Sequence, residues 1–215
     1  NIILIPYRNR ERHLKYFIDN SVPLIEKYLP NTKVVVIEQE EGKKFNRGCV
    51  LNVGFKEYEN NTKYFITHDV DINPKEPALK NYYNKDISDN EVLGIYTSVC
   101  DTLGGIIKFR SDTFFNINGF PNDIWGWGHE DKALQNRAEF KYIKIKKNIL
   151  SNDPNISNYL LKFNDIDDRV RPSNFGLLYN KYYNNKSDID DLMSSGLYLL
   201  LLIIQTRFNS LFLFI

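Results

Sequence analysis

Three short apolar runs stand in the first third of the chain, at residues 2–5, 33–37 and 63–66, and helix-length segments separate them. A continuous run of this kind, without polar alternation, marks a strand buried on both faces. Residues 10–29 place Leu14, Phe17, Ile18, Leu24 and Ile25 at helical spacing, and Pro23 interrupts them. One kinked helix or two short ones are predicted there, because proline lacks the N–H that a helix interior needs. Residues 47–58 read as a second helix, with Val50, Leu51, Val53, Gly54 and Phe55 facing inward. Strand, helix, strand, helix, strand at this spacing predicts an α/β domain with a largely parallel central sheet. Beyond it, residues 92–99 and 105–109 read as strands and 130–140 as a helix, and no internal repeat is visible.

Composition narrows the function classes. The 215 residues are 42% apolar and 26% charged, enough for one domain with its own core. A formal charge of +1 lacks the clustered basic excess of nucleic-acid binders, so no nucleic-acid partner is expected. Cys49 and Cys100 show no metal-binding spacing and are expected as buried thiols. No signal peptide or anchoring helix is legible in the opening NIILIPYR. The apolar tail at 196–215 is about as long as a membrane span, but Gln205, Arg207, Asn209 and Ser210 interrupt it. A charge at mid-bilayer costs ~2.5–3.5 kcal/mol on insertion scales. A buried strand at 199–204 followed by an apolar terminal piece is therefore expected, and membrane association is not evident outside that tail.

In parallel sheets, ligands collect outside the carboxyl ends of the strands. Pro6-Tyr7-Arg8-Asn9-Arg10 follows the first strand there, and His68-Asp69-Val70-Asp71 the third. If strand geometry persists to its end, Asp69 and Asp71 point the same way. Paired carboxylates suit a hard divalent cation that in turn holds a diphosphate, although a solvated turn has the same sequence. Trp125-Gly126-Trp127-Gly128-His129-Glu130-Asp131 has the ingredients of a mobile loop that lays an aromatic face on a sugar. Glu130 and Asp131 open a predicted helix, where the macrodipole favours carboxylates with or without a catalytic role. Phe45-Asn46-Arg47-Gly48 before a helix and Gly104-Gly105 before a strand are weaker signals: Arg47 suits a phosphate or an ordinary surface position.

Taken in order, these motifs resemble the β-1,4-galactosyltransferase family (glycosyltransferase family 7). The pieces are IPYRNRERHL at 5–14, FNRGCVLNVGF at 45–55, HDVDINP at 68–74, GG at 104–105, NGFPN at 118–122 and WGWGHED at 125–131. HDVD and the non-glycine residue 129 resemble the xylosylprotein galactosyltransferase branch. The resemblance implies a GT-A type nucleotide-sugar-binding fold in a single domain over 1–215, well matched over 1–140 and divergent over 141–215. It implies a metal-dependent, inverting transfer of galactose from a UDP-sugar to a saccharide or glycoconjugate hydroxyl. Mn²⁺ is the implied metal, with Mg²⁺ as alternative. By resemblance, Pro6, Tyr7, Arg8, Arg10, Phe45, Arg47, Asp69, Val70, Thr102, Gly105 and Trp127 fall at donor-binding positions. Trp127 and Glu130 fall at acceptor positions, Asp131 at that of the catalytic base and Asp71 at that of a metal ligand.

The chain departs from the family where it completes the metal site with histidine. His13, His68 and His129 all lie elsewhere, and Phe163-Asn164-Asp165-Ile166-Asp167-Asp168 occupies nearly the expected place. Asp165 and Asp167 are read as counterparts of those histidines, completing an all-oxygen site with Asp71 that suits Mn²⁺ or Mg²⁺. The other reading is a decayed site and a solvated acidic loop, which would leave a catalytically inactive glycan- or nucleotide-sugar-binding module. A nucleotidyltransferase would also use paired aspartates but has no use for the tryptophan loop. Thr102 stands where galactose-specific members commonly carry tyrosine, which adds UDP-N-acetylgalactosamine as a candidate donor beside UDP-galactose. Compartment is not readable: the Golgi lumen follows only if the chain behaves as animal members do. Three glycosylation-type triplets, at Asn60, Asn155 and Asn185, are also what an Asn-rich chain yields by chance.

Overall fold

The computed structural model describes residues 1–97, 102–147, 149–163, 170–184, 193–197 and 212–214. The three apolar runs form strands β1 (Ile2–Tyr7), β2 (Lys33–Glu38) and β3 (Tyr64–His68). β1 lies between the other two and pairs parallel with both. Their side chains alternate between two cores. Ile2, Leu4, Val35, Ile37 and Phe65 face one side, and Ile3, Ile5, Val34, Val36 and Ile66 the other. Burial on both faces explains why these runs carry no polar alternation.

Pro23 acts as expected. Helix α1 (Glu11–Tyr16) widens into a π turn at Phe17–Ser21 before α2 (Val22–Tyr28) resumes. There the Val22 N–H, just before Pro23, donates to the Phe17 carbonyl, five residues back instead of four. Helix α3 (Arg47–Tyr58) spans the residues expected of it, and its N-cap Asn46 accepts from the Cys49 N–H at 2.9 Å. β4 (Ile72–Pro74) and α4 (Glu76–Ala78) follow β3, and a second π turn covers Leu79–Tyr83. β5 (Glu91–Tyr96) and β6 (Ile106–Arg110) form an antiparallel pair, and α5 (Ser111–Asn116) comes next. Helix α6 (Glu130–Phe140) again matches expectation, and β7 (Lys144–Lys146), β8 (Leu160–Lys162) and α7 (Phe175–Tyr179) follow.

The main sheet runs β7-β5-β6-β3-β1-β2-β9, where β9 is Phe212–Phe214 paired antiparallel to β2. β6 enters antiparallel beside β3, and β7 lies parallel to β5. The strand expected at 199–204 and Cys100 lie outside the described residues, whereas Cys49 is a buried thiol. Helices α3 and α6 cover one face of the sheet; α1, α2 and the second π turn cover the other. β1 and β3 both end at the same edge, where the chain leaves into Arg8-Asn9-Arg10 and Asp69-Val70-Asp71.

Candidate active site

A cleft of about 720 Å³ opens at that edge. Pro6, Arg8 and Arg10 wall one side, Phe45 and Arg47 another, and Asp69, Val70 and Asp71 a third. Trp127, Glu130 and Asp131 close it from the α6 side. Four separate stretches of sequence therefore meet in one cavity. Arg12, His13, Lys44 and Val170 also line it. Arg12 and His13 continue the same basic stretch and could have been read from the sequence, whereas nothing in the sequence marks Val170.

Strand geometry does not persist through the paired aspartates. β3 stops at His68, and a turn follows in which the Ile72 N–H donates to the Asp69 carbonyl at 3.2 Å. Asp69 and Asp71 reach the cleft together by that turn, not by strand alternation. The Asp69 N–H is tied to the Gly105 carbonyl at 3.2 Å, and the Asp71 carbonyl accepts from the Phe163 N–H at 2.9 Å. His68, just before them, is buried, and that burial lowers its pKa to about 4, so the ring is neutral.

Arg47 organises the cleft floor. As the first residue of α3 it donates through Nε to Asp69 Oδ1 at 2.9 Å and through Nη1 to Asp131 Oδ1 at 3.0 Å. Burial would lower its pKa, but Asp69, Asp131 and Glu130 outweigh that and raise it, so it stays charged. Asp131 behaves in the opposite sense. Burial pushes its pKa well above the usual carboxylate range; Arg47 pulls it down, and Glu130 and Asp69 push it further up. Glu130 is raised mainly by the same burial and accepts a hydrogen bond from the Gly128 N–H at 3.1 Å. The charged Arg47 beside Asp131 works against that burial and favours the ionised carboxylate, the form that can take a proton from an alcohol.

Gly104 faces this carboxylate: a Cβ there would lie 2.2 Å from Asp131 Oδ2. The loop before α6 depends on left-handed backbone at Gly126, Gly128 and His129, with φ of 116°, 114° and 79°. Its N–H groups are held from two sides, Gly126 donating to the Phe45 carbonyl at 2.8 Å and Trp127 to the Val170 carbonyl at 2.9 Å. The Trp127 side chain is 44% exposed at the mouth of the cleft, wasteful for packing but suited to a flat ligand. Three expected donor residues do not wall the cleft. Tyr7 is buried in the core, Gly105 meets the site through its carbonyl, and Thr102 is buried with its carbonyl accepting from Gly104. Asp165 and Asp167 lie outside the described residues. No cluster of three metal-binding side chains occurs among the described residues.

Two family models match the chain: the N-terminal region of glycosyl transferase group 7 over residues 1–85, and the N-terminal domain of galactosyltransferase over 89–158. The chain belongs to glycosyltransferase family 7, the β-1,4-galactosyltransferases. Family likeness thus continues past residue 140 to 158. Beta-1,4-galactosyltransferase 4 of Homo sapiens is 36% identical over 172 residues, covering 77% of this chain and 48% of its own length. Beta-1,4-galactosyltransferase 1 of Bos taurus is 33% identical over 153 residues, 67% of this chain and 38% of that protein. The chain spans about half the length, or less, of these relatives. The catalytic domain of Drosophila beta1,4galactosyltransferase 7, solved with xylobiose, superposes with a TM-score of 0.73 at 22% identity, covering 92% of this chain and 82% of that one. A mutant of the same enzyme, solved with manganese, UDP-Gal and xylobiose, gives 0.71 at 21% identity, covering 86% and 81%. The expected GT-A fold is the fold observed.

Proposed function

We propose that this chain transfers galactose from UDP-galactose to a saccharide hydroxyl with inversion at the anomeric carbon. The Arg47 bridge between Asp69 and Asp131 on the floor of the cleft carries this reading. In it, Asp131 takes the proton of the acceptor hydroxyl as that oxygen attacks the anomeric carbon. Glu130 binds the acceptor sugar beside it, and Trp127 packs on the bound sugars at the mouth. Arg8 and Arg10 offer charge to the diphosphate, and Phe45 and Pro6 line the nucleotide end. Aligning the two substrates in one cleft supplies much of the remaining rate.

Oxygen donors on Asp71 fit a hard divalent cation. The Phe163 N–H donates to the Asp71 carbonyl at 2.9 Å, and Asp165 and Asp167 follow Phe163 by two and four residues in the sequence. In this proposal Asp71, Asp165 and Asp167 hold Mn²⁺ or Mg²⁺, which when bound offsets negative charge growing on the leaving diphosphate. UDP-N-acetylgalactosamine stands as a second candidate donor by the family resemblance alone, because Thr102 is buried behind the cleft wall.

The deciding assay measures UDP release from UDP-galactose and UDP-N-acetylgalactosamine with Mn²⁺, without acceptor and with xylosides or N-acetylglucosaminides. Acceptor-stimulated release that falls at least ~10²-fold in Asp131→Asn supports the base assignment. UDP binding with no release from any acceptor pair would instead make the chain a nucleotide-sugar-binding module. The acceptor that stimulates release also assigns the branch, xyloside for the xylosylprotein type.

A further inference from the structure

His68 lies on β3 with its side chain on the same sheet face as Tyr64 and Ile66, both buried in the core on that side. Its ring is fully buried, 5.3 Å from the Phe17 ring. Both of its nitrogens are engaged. Nδ1 stands 2.9 Å from the Asp69 carbonyl oxygen and Nε2 2.7 Å from the Tyr83 hydroxyl. A carbonyl oxygen can only accept, so Nδ1 carries the proton. In a neutral ring Nε2 then accepts, and the Tyr83 hydroxyl donates to it. Tyr83 is itself fixed at the end of its π turn, where the buried Lys108 ammonium donates to the Tyr83 and Lys85 carbonyls at 2.7 Å each. A continuous buried chain of donors therefore runs from β6 through Tyr83 and His68 to the first peptide of the aspartate turn.

We propose that His68 is a positioning residue: its Nδ1–H, oriented by Tyr83, fixes the Asp69 carbonyl and so sets the direction in which Asp69 and Asp71 enter the cleft. Among the described residues that carbonyl also accepts the Ile72 N–H, at the longer distance of 3.2 Å. A buried polar group costs stability unless it is hydrogen-bonded, and His68 makes such bonds through both nitrogens. Here they pin a turn whose neighbours on both sides are ligand-facing carboxylates. This role rests on the transferase reading only in naming the metal–diphosphate donor as what the turn serves.

Two substitutions separate the two bonds. His68→Asn keeps an amide donor near the Nδ1 position and loses the reach to Tyr83. His68→Gln reaches toward Tyr83 and withdraws the donor from Asp69. Calorimetric titration of UDP in the presence of Mn²⁺ should show His68→Gln binding about tenfold more weakly than the native protein, the size of one buried hydrogen bond. His68→Asn should stay within about threefold, while thermal unfolding shows both variants destabilised alike. Equal affinity in both variants, whether retained or lost, overturns the proposal and leaves the ring as packing. Failure of the native protein to bind UDP with Mn²⁺ would sink the proposed function instead. In that case, or if the variants fail to fold, ¹⁵N NMR of the native protein decides: an Nδ1–H tautomer at His68 is expected, and an Nε2–H tautomer overturns the strut.

Discussion

Gly104 and Asp131 are 27 residues apart in sequence, yet the hydrogen of one and the carboxylate of the other fill the same space. The sequence marks Gly104-Gly105 only as a small-residue pair before a strand. What it is for depends on α6 bringing Asp131 against it. Gly104→Ala should push the Asp131 carboxylate off its Arg47 contact, since the new methyl would sit 2.2 Å from Oδ2. Misplacing a base by about 1 Å costs on the order of 10²-fold in rate. Steady-state kinetics should therefore show kcat falling by about that factor, with UDP affinity little changed; an unaltered kcat would remove Asp131 from the reacting position. Arg47 is less legible in the sequence than Asp131. A lone arginine at a helix start suits a phosphate or a surface equally well, and only the two carboxylates that converge on it distinguish a site from a surface.

Among elements, α3 shows how a scaffold is hidden in a motif. Its inward residues and its limits follow from spacing, but its partner does not. The segment Asn118-Gly119-Phe120-Pro121-Asn122 packs on α3 through buried amides. Asn52 donates to the Phe120 carbonyl at 2.7 Å and to Asn122 Oδ1 at 2.8 Å, and accepts from the Phe120 N–H at 3.0 Å. Asn46 donates to the Asn122 carbonyl at 2.7 Å. The fully buried Arg137 of α6 donates to the Asn118 and Gly119 carbonyls at 2.8 Å each and to the Ser195 carbonyl. This network locks the start of α3, and with it Arg47, to the helix that carries Asp131. Asn52→Ala would leave three buried partners unsatisfied and should cost about 2–3 kcal/mol. Denaturant unfolding measures that loss. A cost under ~0.5 kcal/mol, typical of a surface substitution, would show that the network does not tie the two helices. Asparagines at such positions look like loop residues in a sequence, because their role is to satisfy backbone that only meets in three dimensions.

For the whole molecule, the site is held against the preference of its own charges. Asp131 and Glu130 have folded pKa values above their unfolded ones. The folded state thus binds more protons than the unfolded state in the window from about pH 4 up to the raised values. Their contribution to stability is complete below the unfolded pKa and is lost as pH rises through the folded one. Asp131→Asn cannot ionise and keeps an oxygen for Arg47. Its melting temperature should match the native protein near pH 4 and exceed it increasingly toward pH 8, while activity is lost. A melting temperature below the native value at pH 8 would mean that Asp131 is in net a stabilising partner of Arg47. Stability surrendered at a charged cleft is what the roles proposed for Asp131 and Glu130 would require, since a relaxed, solvated pair would lose both the shifted pKa and the fixed position.

By itself the sequence determined the local elements: buried strands at β1, β2 and β3, the break at Pro23, and helices α3 and α6 to the residue. Each depends on side chains within a few positions of one another, through periodicity, capping and the missing proline N–H. The ordered motifs also determined the family. Only the tertiary structure decided that β6 enters antiparallel beside β3, that Asp69 and Asp71 share the cleft through a turn, and that Thr102 stands behind its wall. These outcomes depend on groups far apart in the chain competing for the same buried space and the same hydrogen bonds, which no local pattern encodes.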